Sequence, residues 1–448
     1  MKIPAARGGQ LLVAIVFAAL AFRLFRLTAQ YAVNIFFWDQ WDFNDATLFE
    51  YHSLWQIFRF QHGPHRQGLG GILAALVEPW FRWNSRTEAF LVTALVVVAG
   101  LAMLYLKYRL FGSLAVTDVA IPMIVFTPAQ WEPLWNTVNL AHGTLPVLLI
   151  VLYCLAWTWG NERAKYALIT ALNFVTLYTG FGLFIGLLTP VLLFAKYREE
   201  RHKTPATRLY LVCCLVVSVA SLASFFMGYR NDDASGCESL FSASPLEYFQ
   251  FLSLMFATPF GIRGTGLAAA TVGGMVLAGV AAIAAVSWKR VLGDCGGEPR
   301  TRHVVLAILS TYSIIFCVVA ALGRTCTGLT EAHTSRYGNY RQLAVLSLFL
   351  WALTVRRPAW LNISAYVLPV LLIPSLFITP PDAHDIHTLH DLKAGWRACY
   401  LSGHLTDVCD DQNGPIYPDP EGTHLQHKLD FLRTTRQNLF SDVPEVRR

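Results

Sequence analysis

The most restrictive feature of this 448-residue sequence is a series of long apolar runs separated by short charged segments. Apolar residues make up 54% of the chain and charged residues 14%, against about 25% charged residues in soluble domains. This composition disfavours a soluble globular fold, and the runs are typical of helices that cross a bilayer. The net charge of +6 does not indicate nucleic-acid binding, because no Lys/Arg-rich block with interleaved aromatic residues is present.

The apolar runs predict an all-α fold, a polytopic transmembrane helical bundle of about eleven spans, with a range of roughly 9 to 13. Two segments leave alternatives open: 166–195 could form a shallow hairpin at Gly180, and 246–262 could be interfacial or re-entrant. The N-terminal run lacks a small-residue cleavage site and is expected to stay as the first span. The runs lie near 11–29, 88–106, 113–128, 138–158, 166–180, 182–195, 209–228, 264–287, 304–322, 341–355 and 359–378.

The distribution of charge predicts the orientation of the spans. With a cytoplasmic N-terminus, the short inner segments contain 17 Lys and Arg residues against 5 Asp and Glu residues. The longer outer segments contain more acidic than basic residues. This asymmetry predicts a multi-pass protein of a bacterial inner membrane, with its N-terminus in the cytoplasm and its C-terminus in the periplasm.

Two outer regions are too long to be simple connections, and they divide the chain into two expected units. Residues 1–378 form a transmembrane module that includes a long first outer loop, 30–87. Residues 379–448 form a small C-terminal outer domain, with a helix expected near 423–440. A histidine series in this tail, between 382 and 391, leaves open a metal on one helical face or a solvated polar face.

Cysteine positions offer a separate test of the orientation, because disulfides form in oxidising compartments. Cys399 and Cys409 lie ten residues apart in the polar tail, and we predict a disulfide between them. A second pair, Cys237 with Cys326, is left open because sequence does not give the distance. The remaining cysteines of the spans are expected to be packing residues, namely Cys154, Cys213, Cys214 and Cys317.

Acidic and aromatic residues crowd the start of the first outer loop, in the segment FWDQWDFND that contains Asp39, Asp42 and Asp45. One interpretation is helix capping beside interfacial tryptophans, and it suits Asp45 before a helix expected over 46–60. Asp39 and Asp42 fit capping less well, because three neighbouring carboxylates repel one another unless a positive group lies between them.

A polar turn, QHGPHRQG, follows and contains His62, His65 and Arg66. The apolar stretch 69–81 after it is short for a span, and treating it as one would invert every later loop. We therefore expect two interfacial helices joined by this turn.

This loop resembles the first periplasmic loop of the GT-C superfamily of integral-membrane glycosyltransferases, which includes protein O-mannosyltransferases, aminoarabinose transferases and oligosaccharyltransferase catalytic subunits. The motif reads Asp39-Gln40-Trp41-Asp42-Phe43, with Gln40 in place of the usual Glu and His-Arg in the turn in place of Lys. The segments Trp131-Glu132-Pro133 and Ser335-Arg336-Tyr337 also resemble positions of a set of bacterial membrane proteins that share the His-Arg turn.

The resemblance implies a polyprenyl-phosphate-linked sugar donor and a glycan, lipid or protein acceptor at the membrane. Such a transfer needs a carboxylate base for the acceptor hydroxyl and cations around the phosphate. Asp39 is the expected catalytic base, with Asp42 as the alternative. The expected phosphate-binding residues are Arg66, His65, Arg324 and Arg336, because they lie at the outer face.

Four further residues are candidate contacts for acceptor, donor or a metal ion: His62, Glu132, His142 and Tyr337. The site candidates also have competing structural roles. For the histidines of the turn this role is hydrogen bonding within the turn, and for the arginine candidates at span ends it is snorkelling. A divalent metal ion is left open as a cofactor, because metal use differs among the relatives and no ligand set here predicts one.

The leading interpretation is a membrane glycosyltransferase of cell-envelope biogenesis. A transporter or flippase of a lipid-linked intermediate is the first alternative, but it calls for ionisable residues near the midplane, where only Asp118 qualifies. A non-catalytic envelope-assembly membrane protein is the second alternative.

Overall fold

The protein is described here by a computed structural model that covers residues 5–50, 52–200, 204–230, 243–293, 298–354 and 363–443. Its regular structure is helical apart from one short hairpin, which confirms the expected all-α class. The helices are α1 (Ala5–Tyr31), α2 (Gln40–Phe43), α3 (Leu54–Arg59), α4 (Gly68–Val77), α5 (Ser85–Phe111), α6 (Ala120–Val125), α7 (Thr144–Trp157), α8 (Glu162–Leu177), α9 (Leu183–Glu199), α10 (Pro205–Phe225), α11 (Pro245–Ala257), α12 (Leu267–Leu292), α13 (Glu298–Arg324), α14 (Gly338–Thr354), α15 (Ile363–Leu371), α16 (Pro380–Leu401), α17 (Thr406–Asn413) and α18 (Leu425–Thr435). The hairpin pairs β1 (Gln61–His62) with β2 (His65–Arg66).

Five helices of the described chain are long and apolar enough to cross a membrane, and a pair bent by 41° would make a sixth only if its two helices formed one broken span. The protein is therefore a polytopic membrane protein. The other apolar runs form shorter helices in the same bundle, such as α7, α8, α9 and α14, or helices interrupted near prolines. The five are Gly8–Tyr31, Ser85–Phe111, Pro205–Phe225, Leu267–Leu292 and Arg300–Thr327, and the bent pair is Ser364–Leu376 with Pro380–Leu401.

The loops that the charge pattern places outside meet at one end of the bundle. A β-bridge between Arg66 and Gly180 joins the first outer loop to the α8–α9 turn. Arg263, which follows α11, forms an ion pair of 2.6 Å with Asp382 of α16. The indole N–H of Trp131 donates to the same carboxylate at 3.2 Å. These contacts join the first outer loop to the α8–α9 turn, and they join three further outer segments to one another.

The segments that the charge pattern places inside meet at the opposite end. Arg109, at the end of α5, donates a 2.7 Å hydrogen bond to the carbonyl of Thr158 in the α7–α8 connection. Arg300 of α13 lies 3.1 Å from the carboxylate of Glu199 at the end of α9. The contacts therefore sort the loops into the same two groups as the counts of basic residues.

The first outer loop differs from the expectation in one element. Residues 46–60 do not form one helix: a π-helical turn over Asp45–Phe49 is followed by the separate helix α3. Ser53 caps α3, and Asp45 instead contacts Lys428, so the expected capping role of Asp45 is wrong. The stretch 69–81 forms α4 and a 3-10 turn over Glu78–Phe81, and its interfacial position stays a prediction.

The C-terminal tail packs on the first outer loop and shares a core with it. Trp41 and Trp396 are buried in this core. Asn438 donates to the carbonyl of Trp83 at 2.8 Å. A disulfide joins Cys399 to Cys409, with 5.7 Å between their Cα atoms.

The other cysteines fall into two groups. Cys326 is disulfide-bonded, and Cys237, its proposed partner, lies outside the described residues. Four cysteines are free, namely Cys154, Cys213, Cys214 and Cys317. The division of the chain into two units at 378/379 stays a prediction, and the described tail and first loop are packed against each other.

Candidate functional site

The three aspartates of the first outer loop differ in their partners. Asp39 is the N-cap residue of α2 but makes no side-chain capping bond, so capping does not explain it. Within the described chain its carboxylate has no hydrogen bond or ion pair. The Tyr417 hydroxyl lies 3.1 and 3.0 Å from the two carboxylate oxygens of Asp42. Asp45 lies 2.7 Å from the Lys428 ammonium. Of the two catalytic candidates, only Asp39 keeps a carboxylate free for a ligand.

Burial changes the acidity of the partnered aspartates. It raises the pKa of Asp42, while the hydrogen bond from Tyr417 and the nearby charges of His62 and Lys428 act in the opposite direction. Burial also raises the pKa of Asp45, and Lys428 opposes that rise. The tail residues therefore keep both carboxylates closer to the ionised form than burial alone would allow.

Glu132 and Arg336 form an ion pair beside Asp39. Their closest atoms, Oε1 and Nε, lie 3.6 Å apart, and the Arg336 side chain is 44% exposed. Burial raises the pKa of Glu132, and the charge of Asp39 adds to that rise. Glu132 in turn raises the pKa of Arg336. Asp39 is thus within electrostatic reach of both, so segments almost 300 residues apart share one charged site.

Two arginine side chains, those of Arg341 and Arg263, bind the main chain of the loop that carries Arg336. Arg341 donates to the carbonyls of Ala332 and Thr334 at 2.7 and 2.9 Å. Arg263 donates to the carbonyl of His333 at 2.6 Å. These bonds satisfy the main chain of a short irregular loop and fix the direction in which Arg336 leaves it.

Arg324 lies at the end of α13 and has no hydrogen bond or ion pair through its guanidinium in the part of the chain that is described. Its charge acts on His65 and on Tyr337. Tyr337 is buried and packs against Phe316, with 5.7 Å between ring centroids. Arg324 therefore has no ion-pair partner among the described residues, and its charge acts both on the histidines of the first loop and on the Arg336 loop.

The three candidate histidines lie together. The rings of His65 and His142 are 4.8 Å apart, and Phe43 lies 4.5 Å from His62 and 4.8 Å from His142. Burial lowers the pKa of His65 to about 3, and the charges of His62 and Arg324 act in the same direction. Burial therefore disfavours a charged imidazolium at His65, and a phosphate-binding role for this residue stays a prediction.

Arg66 does not belong to this site. Its side chain is 2% exposed. It donates to the carbonyls of Phe225 and Met227 at distances from 2.7 to 3.0 Å and also to that of Arg59. The main chain thus occupies this guanidinium, so the phosphate-binding role expected for Arg66 is not supported. Its role is to hold the polar turn against the end of α10.

Among the described residues, no group of three or more His, Cys, Asp or Glu side chains is placed to hold a metal ion. Two members of the tail's histidine series, His387 and His390, pack edge-on against Tyr31. Asp382 of the same series is paired with Arg263. The series therefore serves packing and ion pairing in this structure.

Sequence reasoning missed Tyr417 and Lys428, which complete the acidic loop from the tail. Neither stands in a motif, and Tyr417 is separated from Asp42 by 375 positions. The one available signal was the cluster of aspartates itself, which called for a nearby positive group. Lys428 provides that group at Asp45.

Comparisons with known proteins add one structural likeness. No protein-family model and no curated protein sequence matches the chain. A match among solved structures is the archaeal oligosaccharyltransferase AglB from Archaeoglobus fulgidus, in complex with an inhibitory peptide and a dolichol-phosphate. The identity is 13% and the TM-score 0.41, over 92% of this chain and 60% of that chain.

Proposed function

We propose that the protein is a GT-C-type membrane glycosyltransferase that takes a sugar from a polyprenyl-phosphate donor at the outer face. The acceptor is a hydroxyl-bearing glycan, lipid or protein of the cell envelope. One observation carries the proposal: the unpartnered carboxylate of Asp39 lies beside the Arg336–Glu132 pair, at the end of the bundle where the outer loops meet.

The arrangement supports a simple transfer step. The carboxylate of Asp39 takes the proton of the acceptor hydroxyl while the hydroxyl oxygen attacks the anomeric carbon of the sugar. The bond between that carbon and the phosphate oxygen breaks, and the phosphate leaves with the electron pair. Arg324 and the free N–H groups of Arg336 stabilise the negative charge that develops on the phosphate.

The ion pair with Glu132 suits this role of Arg336. A salt bridge made through Nε leaves the two terminal nitrogens of the guanidinium for another anion. Because the side chain is partly exposed, a lipid phosphate can reach it from the outer leaflet. Glu132 orients the guanidinium, and its negative charge offsets part of the attraction between Arg336 and the phosphate product, so the product can leave.

Envelope glycan analysis with paired variants tests the proposal. Asp39→Asn is expected to lower transfer by about 10²-fold or more, the usual contribution of a general base, while Asp42→Asn has a smaller effect. Asp407→Asn, at an exposed tail position, is the matched control and should retain the wild-type glycan. Each variant is compared with the wild type and with a deletion strain, after membrane insertion has been verified.

Loss of one sugar in the deletion strain and in Asp39→Asn alone supports transfer with Asp39 as the base. Intact glycans in Asp39→Asn, when the deletion strain lacks the sugar, would remove this carboxylate from the mechanism. An unchanged glycan in the deletion strain itself would favour the non-catalytic alternative.

A further inference from the structure

A wall of rings borders the acidic site and is not used by the transfer step described above. It consists of His62, His65 and His142 with Phe43 and Phe181, and we call these five residues the imidazole wall. Phe181, from the α8–α9 turn, closes it at 3.9 Å from the ring of His65. The wall thus brings together three segments that are distant in sequence.

Close backbone packing builds the wall. A Cβ at Gly70 would lie 2.1 Å from the Cα of Ala141, so only glycine lets the start of α4 approach the segment that carries His142. Gly68 approaches the carbonyl of Tyr178 in the same way. These close main-chain contacts set the relative positions of the rings.

The imidazoles keep unused hydrogen-bonding groups. The Nε2 atom of His142 is buried and has no partner. Within the described residues no hydrogen bond or ion pair joins the imidazole of His62 or of His65 to another protein group. Histidines that served packing alone would be expected to satisfy their ring nitrogens, because a buried unpaired polar atom costs about 1–3 kcal/mol.

Burial lowers the pKa of His65 and of His142, which favours neutral rings at these two positions. Each has one N–H donor and one nitrogen acceptor, which matches a hydroxyl group that both donates and accepts. A cationic sugar gains little from such rings, and an anionic one would require a cation. Arg324, whose charge acts on His65 and which has no partner among the described residues, is assigned to the phosphate.

We propose that the imidazole wall binds the sugar ring of the lipid-linked donor through its hydroxyl groups, and that the donor sugar is uncharged. This inference rests on the proposed function and specifies its substrate class. Arg324 binds the phosphate next to the wall, so the anomeric carbon lies between the wall and the carboxylate of Asp39. The histidines are binding residues, and proton transfer is left to Asp39.

Binding of short lipid phosphates to the full chain in nanodiscs separates the contribution of the sugar from the contribution of the phosphate. The probes are farnesyl phosphate and its conjugates with neutral sugars (mannose, glucose, galactose and arabinose) or with charged sugars (glucuronic acid and 4-amino-4-deoxyarabinose). The measured quantity is the ratio of the Kd of farnesyl phosphate to that of each conjugate. In the wild type we expect a ratio of about tenfold for at least one neutral sugar, equivalent to about 1.4 kcal/mol.

Variants of single residues show which side chains produce this ratio of Kd values. His65→Ala and His142→Ala should reduce it to near one and leave the affinity for farnesyl phosphate unchanged, whereas Arg324→Gln should weaken every probe. His65→Asn, which keeps a neutral donor and acceptor, should restore part of the ratio and guards against misfolding of the alanine variant. His404→Ala, at an exposed tail position, is the matched control and should behave as the wild type.

The pH dependence gives a second readout. A neutral ring at His65 predicts that its contribution to the ratio is constant between pH 5.5 and 8, because the pKa of His65 near 3 lies below this range. A ratio that falls as the pH rises would identify an imidazolium and overturn the inference. So would a preference for a charged sugar, or histidine variants that weaken farnesyl phosphate and its conjugates equally.

Failure of the proposed function has a different signature. If the wild type binds neither farnesyl phosphate nor any conjugate, both the donor class and the inference are rejected. If it binds the lipid phosphate with no gain for any sugar, the inference alone is rejected and the role of Arg324 and Asp39 stands.

Discussion

At the residue scale, the aspartates of the first outer loop show how one residue type takes different roles through its contacts. Asp39 and Asp42 lie one helical turn apart on the same short segment, yet only Asp42 receives the hydroxyl of Tyr417. A carboxylate whose two oxygens both lie within hydrogen-bonding distance of a hydroxyl is oriented by that contact and is less available to an acceptor. The free carboxylate is the better base on geometric grounds.

Removing the Tyr417 hydroxyl provides a residue-scale prediction. Burial raises the pKa of Asp42 and the Tyr417 bond opposes that rise, so Tyr417→Phe should raise this pKa further. If ionised Asp42 supports the site, the acidic limb of the pH–rate profile moves toward higher pH in the variant. The measurement is sugar transfer as a function of pH, with Tyr108→Phe on the opposite end of the bundle as the control.

The sign of the shift distinguishes a positioning role from a purely structural one. A variant that loses activity equally at every pH would show that Tyr417 stabilises the loop without acting on the charge of Asp42. An acidic limb that moves toward lower pH would contradict the electrostatic interpretation.

At the scale of elements, the position of the polar turn depends on glycines that permit close contact. Gly180 has a φ of +55° and pairs with Arg66 across the bridge that ties the turn to the α8–α9 connection. Gly70 lies within α4, where alanine is the better helix former by about 1 kcal/mol. The close approach of the main chain at Ala141 explains why residue 70 is a glycine.

Gly70→Ala is therefore expected to destabilise the protein in spite of the gain in helix propensity. The added Cβ meets main-chain atoms that have no room to move, and such overpacking costs about 1–3 kcal/mol. Gly274→Ala in α12 is the matched control, because its Cβ would make only an ordinary contact at 3.6 Å. Thermal unfolding in detergent should show a lower Tm for the first variant and an unchanged or higher Tm for the second.

Equal behaviour of the two variants would contradict this explanation of Gly70. A rise in Tm for Gly70→Ala would show that the turn and the His142 segment are not in the close contact described here.

At the scale of the whole molecule, the tail and the first outer loop form one packed layer over the outer end of the bundle. Trp396 of α16 is fully buried there, and its indole donates to Asp410 at 2.6 Å. The disulfide closes a loop of ten residues between α16 and α17. The layer holds Tyr417 and Lys428 over the acidic segment, so its stability and the geometry of the site are connected.

Replacing both Cys399 and Cys409 with serine is expected to lower the stability of this layer by about 2–4 kcal/mol. The tail should then become sensitive to protease at a lower temperature than the spans. Cys213→Ser, an exposed free cysteine, is the control and should have no effect. Limited proteolysis over a temperature series measures the difference, and identical profiles for all three proteins would show that the disulfide does not stabilise the tail.

The orientation of the bundle gives the last prediction. In a background without Cys213, His404→Cys should react with a membrane-impermeant maleimide in intact spheroplasts, whereas Gly160→Cys should react only after permeabilisation. Both positions are exposed, and they belong to the two opposite groups of loops. Labelling of Gly160→Cys in intact spheroplasts would invert the orientation and place Asp39 on the cytoplasmic side.

Much of the architecture was predictable because its signals are local in the sequence. Apolar runs indicate helices through the cost of unsatisfied main-chain groups in lipid, and short basic segments indicate a side of the membrane. The short apolar helix within 69–81 was predictable from the composition of that stretch for the same reason. The break at Glu50 between the π-helical turn and α3 was not, because aromatic packing against the tail competes there with helix propensity.

The sequence by itself determined a helical membrane bundle, a group of outer loops and an acidic segment among aromatic residues, because each depends on the composition of a short stretch. Only the tertiary structure decided which aspartate lacks a partner among the described residues, which arginine is buried against carbonyls and that burial lowers the pKa of His65. Charge state and availability depend on burial and on partners from distant segments, such as Tyr417 over Asp42 and Arg324 beside His65. Those partners come together only when the loops at the outer end pack against one another.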